Sequence, residues 1–82
     1  MENINITEEA LKALHHAEEA VYSAQSNSHI EFRQKALQQL LIAKDKIDLA
    51  YLQSPTSDQQ HRLHQAQEQL RHLTEAHQAL EN

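Results

Sequence analysis

The stretch HRLHQAQEQLRHLTEAHQAL, residues 61–80, carries the clearest structural signal in the chain. Five apolar side chains and one histidine recur in it at alternating intervals of three and four residues: Leu63, Ala66, Leu70, Leu73, His77 and Leu80. This spacing places all six on one face of an α-helix, in the pattern of a coiled-coil seam. We therefore predict a helix over about residues 56–80.

Two segments nearer the N-terminus repeat this helical spacing. The first carries Ala10, Leu14, Ala17, Val21 and Ala24, with Ala13 and Ala20 alongside. The second presents Phe32, Ala36, Leu37, Leu40, Ala43, Ile47, Ala50 and Tyr51. These patterns predict helices over about residues 7–25 and 29–53. Because the connecting segments are short, we expect an all-α, antiparallel up-down-up three-helix bundle that forms a single domain over residues 1–82.

Residues that favour helix ends separate the three segments. Thr7 is the predicted N-cap of the first helix, and Ser28 with Glu31 matches the S-x-x-E capping box for the second. The only proline, in QSPTSDQQ, fits the first turn of a helix and not its interior. The candidate caps of the third helix are Ser54, Thr56 and Ser57.

The composition supports a small helical protein and excludes several chemistries. The chain has no glycine, eleven alanines, eleven leucines and eleven glutamines, and no cysteine that could form a disulfide or a thiolate metal site. The start, MENINITEEA, lacks the pattern of a signal peptide, and the longest apolar run is only four residues. We expect a cytoplasmic protein that does not enter the membrane.

The formal charge of −5 argues against a nucleic-acid partner, because phosphate binding requires clustered lysines and arginines. Seven basic residues are scattered among twelve acidic ones. The seven histidines would carry the formal charge from −5 to +2 if all were protonated. Mild acid would therefore weaken the charge repulsion between molecules.

Three apolar residues of the second helix lie well away from its predicted seam: Ile42, Leu49 and Leu52. Two interpretations remain open. They are scattered surface residues, as many proteins have, or they contact another copy of the chain or another protein. The second interpretation predicts a protein partner or homo-oligomer that binds through the second helix.

The third helix carries a second row of polar residues roughly opposite its seam. His61, His64, Glu68, His72 and Glu75 fall within an arc of about 80° on a helical wheel. His61 and His64 have a spacing that can chelate a transition metal, with Glu68 as a further ligand, whereas His72 lies about 16 Å from His61 along the axis. No H-E-x-x-H motif is present. A solvated polar face is therefore the preferred interpretation over a metal site.

His77 differs from the other histidines because it occupies a seam position. It is either a boundary residue with its ring tip in water or a buried polar group. If it is buried in the neutral form, acid must charge it, and the bundle would loosen below about pH 6. A metal-responsive or pH-responsive protein is therefore the alternative to an interaction module.

Catalysis has little support in the sequence. A slender bundle with alanine-rich faces has little room for a cleft, and a phosphate-binding loop would need glycine. We expect a non-catalytic module for protein–protein interaction or self-association, with no cofactor.

The segment ALQQLLIAKDKIDLAYLQSPTSDQQHRLHQAQEQLRHL, residues 36–73, resembles short uncharacterised all-helical proteins of Bacillus-type bacteria. In these proteins an Ala/Leu helix leads through a serine-containing turn and a Gln-Gln pair into a Gln/Leu-rich helix. The resemblance covers about half of the chain and includes no chemical motif. It implies a cytoplasmic bacterial protein with no assigned role.

Overall fold

The computed structural model describes residues 5–81 and consists of three α-helices: α1 (Ile6–Ser26), α2 (Ile30–Leu52) and α3 (Ser57–Glu81). Each helix packs against both of the others. The start of α1 meets the start of α3 through Glu8 and Arg62, and the end of α2 through Glu9 and Lys46. The helices therefore run up, down and up, which confirms the predicted all-α three-helix bundle.

Alanine dominates the contact between α1 and α2. The buried apolar residues of these two helices are Ala10, Ala13, Leu14, Ala17, Ala20, Val21, Ala24, Ala36, Leu40, Ala43, Ile47 and Ala50. Because a methyl group is short, the two helix backbones approach closely along this face. On α3, Leu63, Ala66, Leu73 and His77 are buried, and Leu70 and Leu80 are partly buried. The predicted seams of α1 and α3 are therefore confirmed.

The predicted seam of α2 was too wide. Ala36, Leu40 and Ile47 face the core, whereas Phe32 and Leu37 are exposed. Leu37 lies about 60° from Leu40 around the helix and further still from the other core residues, so it faces outward. Phe32 lines an open groove with residues of α1 at the N-terminal end of α2. The close α1–α2 contact admits only a narrow row of side chains.

The N-cap of α1 is Asn5, whereas the sequence analysis predicted Thr7. The Asn5 side-chain oxygen accepts hydrogen bonds from the backbone N–H groups of Thr7 and Glu8, at 3.1 and 3.2 Å. Thr7 lies inside the first turn and is buried. The helix therefore starts slightly earlier than predicted, and asparagine satisfies two of the free N–H groups at its end.

The predicted capping box of α2 does not form. His29 is the N-cap residue and makes no side-chain capping bond. The box of Ser28 and Glu31 would require Ser28 itself to be the N-cap, so the helix begins one residue too late for it. Instead, the Asn27 side chain accepts a hydrogen bond from the His29 N–H at 3.3 Å.

The turn between α2 and α3 stops one helix and starts the next within four residues. Ser54 has a φ of 52°, the left-handed conformation that commonly follows the last turn of a helix, and Pro55 then prevents α2 from continuing. Thr56 Oγ1 accepts from the Gln59 N–H at 3.2 Å, and Gln59 Oε1 accepts from the Thr56 N–H at 2.9 Å. This reciprocal pair is a capping box, so Thr56 is the cap among the three candidates.

Replacing Thr56 by alanine should lower the free energy of unfolding by about 1 kcal/mol, because the Gln59 N–H loses its acceptor. Ser57→Ala is the matched control, since Ser57 is the first residue of α3 and makes no capping bond. Urea unfolding followed by circular dichroism measures both. Equal losses for the two variants would contradict the assignment of Thr56 as the cap.

Candidate interaction surface on the second helix

The face of α2 that points away from α1 and α3 carries large aliphatic side chains along its length. Those exposed to solvent are Ile30, Leu37, Leu41, Ile42, Leu49 and Leu52. The residues singled out from the sequence, Ile42, Leu49 and Leu52, are therefore all exposed. Their role in binding stays a prediction. Exposed apolar patches of this kind occur at sites of protein–protein contact.

Three of these residues form a straight row, which we call the α2 stripe: Ile30, Leu41 and Leu52. They are 60%, 56% and 77% exposed, the highest values among the large apolar residues of α2. Successive members are eleven residues apart, which is three helical turns plus about 20°, or about 16 Å along the axis. The stripe therefore runs the full length of the helix, with Leu41 at its midpoint.

Ile30 and Leu41 were missed from the sequence. The sequence does contain a signal for them, because residues eleven apart lie on the same side of an α-helix. It was obscured because apolar residues occur almost all around α2, so spacing alone did not separate a core row from an outer row.

The outer face of α2 carries three charges in its C-terminal half, on Lys44, Asp45 and Asp48, and one near its N-terminus, on Glu31. Lys44 donates a hydrogen bond of 3.0 Å to Asp48, one turn further along the helix. This bond and the charge of the Asp48 carboxylate raise the pKa of Lys44 above its ordinary value. Lys44 therefore stays charged at neutral pH, and its charge is balanced by Asp48. Lys44 and Asp48 lie three and seven residues after Leu41. The positions three and seven residues before Leu41 hold the uncharged Gln38 and Gln34.

The stripe forms a ridge between two open grooves. On one side, Lys44 and Asp48 line a groove with Leu70 and other residues of α3. On the other side, Ile42 and Lys46 line a groove with residues of α1. The outer face of α2 is therefore flanked by one open groove on the side of α3 and another on the side of α1.

The polar face of α3 is solvated, and the structure does not gather its histidines into a ligand set. His61, His64, Glu68 and His72 are all exposed. His61 Nε2 lies 3.4 Å from the Gln65 side-chain nitrogen. Within residues 5–81, no three His, Cys, Asp or Glu residues are placed to hold a metal ion.

His77 is buried, with only 3% of its surface exposed. Its Nε2–H donates a hydrogen bond of 2.9 Å to the backbone carbonyl of Arg33, which joins the C-terminal end of α3 to the N-terminal end of α2. Glu81 places one carboxylate oxygen 3.4 Å from His77 Nε2 and the other 3.8 Å from the Arg33 guanidinium. The Glu81 carboxylate thus lies between the His77 ring and the Arg33 guanidinium. A pH-sensing role for His77 stays a prediction.

No protein-family model, curated protein or solved structure matches the chain. The resemblance to helical proteins of Bacillus-type bacteria therefore stays a prediction. None of the helices within the described residues is long and apolar enough to cross a membrane.

Proposed function

We propose that the protein is a non-catalytic, cytoplasmic interaction module that binds an amphipathic helix of another polypeptide along the outer face of α2. The observation that carries this proposal is the α2 stripe. Its three aliphatic side chains remain largely in water in the isolated chain, although the core of the bundle is complete without them. Burying them against a partner would remove more apolar surface from water than the folding of the single chain does, and this burial would stabilise the complex.

The chemistry of the surface defines the partner. The outer face of α2 carries the three aliphatic side chains of the stripe, with polar residues between them, and two of its charges, Lys44 and Asp48, are paired with each other. A helix with apolar residues on one side would cover the stripe, and its polar residues would meet the rims of the two grooves. A nucleic acid would find no cluster of positive charge on this face.

We expect the binding to depend on the stripe. The tagged chain is used to capture proteins from a lysate of its source cells, and the captured proteins are quantified by mass spectrometry. A Leu41→Glu, Leu52→Glu double substitution should reduce capture at least about tenfold, because it places two charges in a contact that must lose water.

Tyr22→Glu provides a matched control, since Tyr22 is 55% exposed and lies on α1, away from the stripe. It should capture the same proteins as the unchanged chain. Circular dichroism establishes that all three proteins are equally folded. A captured set that survives the double substitution would contradict the proposal, because the binding surface would then lie elsewhere.

A further inference from the structure

We infer that the last two turns of α3, residues 74–81, form a strap that opens from α1 and α2 as one unit while the rest of the bundle stays folded. This inference concerns α3 and goes beyond the proposed function, because it does not depend on the α2 stripe. It follows from a difference between the two halves of α3.

The apolar side chains that α3 buries lie before the strap. Leu63 and Leu73 are 0% and 6% exposed. In the strap the buried residue is His77, and the apolar residues are at most partly buried, as Ala76 and Leu80 are. Because the burial of an apolar face supplies most of the stability of a helix in a protein, the strap is held less firmly than the residues before it.

Polar contacts with Arg33 of α2 hold the strap in place of apolar ones. His77 Nε2–H donates a hydrogen bond of 2.9 Å to the Arg33 carbonyl, and a Glu81 carboxylate oxygen lies 3.8 Å from the Arg33 guanidinium. When the strap opens, water replaces both contacts. Each contact therefore adds only modestly to the stability of the closed form.

The closed strap also leaves a buried polar atom without a partner. Arg33 Nε is buried and has no hydrogen-bond partner among the residues that the structure describes. His77 and Glu81 both contact Arg33, so the strap helps to keep this atom from water. A buried donor that forms no bond costs free energy, and opening returns it to water. The closed form therefore carries a cost that the open form does not.

The contacts between helices show which surface the strap covers. Because α1 and α3 run in the same direction and Gln69 donates a hydrogen bond of 2.6 Å to Glu18, the strap lies beside the last turns of α1. Its bond to Arg33 places it beside the first turns of α2. Ala24 and Ala36 are completely buried in these turns. Opening uncovers this apolar surface, so the strap controls access to it.

Amide hydrogen exchange, followed for each residue by NMR, measures the opening. The protected amides of the strap should share one opening constant, at least about tenfold larger than that of the protected amides before Leu73. Exchange that slows steadily from Glu81 back toward Leu63 would show ordinary fraying of a helix end. One constant for the whole of α3 would show that it opens only as a whole. Either outcome overturns the inference.

Arg33→Met tests the cause of the opening, because it removes the unpaired Nε and keeps an apolar stem of similar length. Strap exchange should slow at least about fivefold, since closing no longer buries a donor without a bond. Arg71→Met is the matched control, because Arg71 is 62% exposed on the outer face of α3 and bonds only Glu68. It should leave strap exchange unchanged. Unchanged or faster strap exchange in Arg33→Met contradicts the inference.

Ile47→Val tests whether the strap opens separately from the bundle. Ile47 is buried in α2 fourteen residues from Arg33, about 21 Å along the helix axis. Losing one methyl group there should speed the exchange of the most protected amides about two- to tenfold, because it weakens the bundle itself. Strap exchange should not change, since the Ile47 contacts stay intact while only the strap is open. If the strap speeds up by the same factor, it opens only when the whole chain unfolds, and the inference fails whatever the α2 stripe binds.

Discussion

Replacing Ile47 by alanine should lower the free energy of unfolding by about 2–5 kcal/mol. Ile47 is among the largest side chains that the bundle buries completely, and it lies in the narrow row by which α2 meets the core. Its neighbours in that row are the small residues Ala43 and Ala50, which cannot reach into the space that the substitution leaves. The cavity should therefore persist, and for a domain of this size the loss is a large part of the total stability.

Ile30→Ala is the matched control, because it makes the same chemical change at an exposed position of the same helix. Its cost should stay within about 0.5 kcal/mol. Urea unfolding followed by circular dichroism measures both variants. Similar costs at the two positions would mean that α2 does not pack with its Ile47 side against the core.

The seams of α1 and α3 could be predicted from the sequence because each of these helices has one apolar face. Leu63, Leu73 and their neighbours stand alone among polar residues, so the spacing identified the buried side without any knowledge of the partner helix. The helix limits were also close, since QSNSH and the proline segment interrupt the pattern at both turns.

The orientation of α2 could only partly be predicted, because apolar residues surround it. Leu37 and Leu40 are equally hydrophobic, yet one is exposed and the other buried. The choice between them depends on how closely α2 approaches the alanine face of α1, which is a property of the packed bundle. The same ambiguity concealed Ile30 and Leu41, and with them most of the α2 stripe.

The helix caps show a second limit. Asn5 and Thr7 are both good capping residues only two positions apart, and local preference does not decide between them. Packing decides, because the structure buries Thr7 in the first turn and leaves Asn5 free to accept two N–H groups. Similarly, the seam position of His77 was visible in the sequence, but its bond to Arg33 joins residues 44 positions apart.

Replacing His77 by alanine should destabilise the bundle by about 2–4 kcal/mol, because it removes a buried ring and its hydrogen bond together. His77→Leu separates these two contributions. Leucine fills a similar volume, and the Arg33 carbonyl keeps the bond that it accepts within α2, so the cost of His77→Leu should stay below about 1 kcal/mol. The comparison therefore asks whether His77 holds the end of α3 mainly by packing or by its hydrogen bond.

Thermal and urea unfolding of the two variants give the answer. If His77→Leu costs as much as His77→Ala, the bond to Arg33 and not the ring volume holds α3 against α2. If His77→Ala costs almost nothing, the last turns of α3 do not stay docked, and His77 is not part of the core.

Repeating the melts at about pH 7.5 and about pH 5.5 tests the pH response, since histidine changes charge in this range. Equal pH sensitivity of the native chain and His77→Leu would exclude His77 as the residue that senses acid, whereas a response lost only with His77 would connect the pH of the surroundings to the packing of α3 on α2.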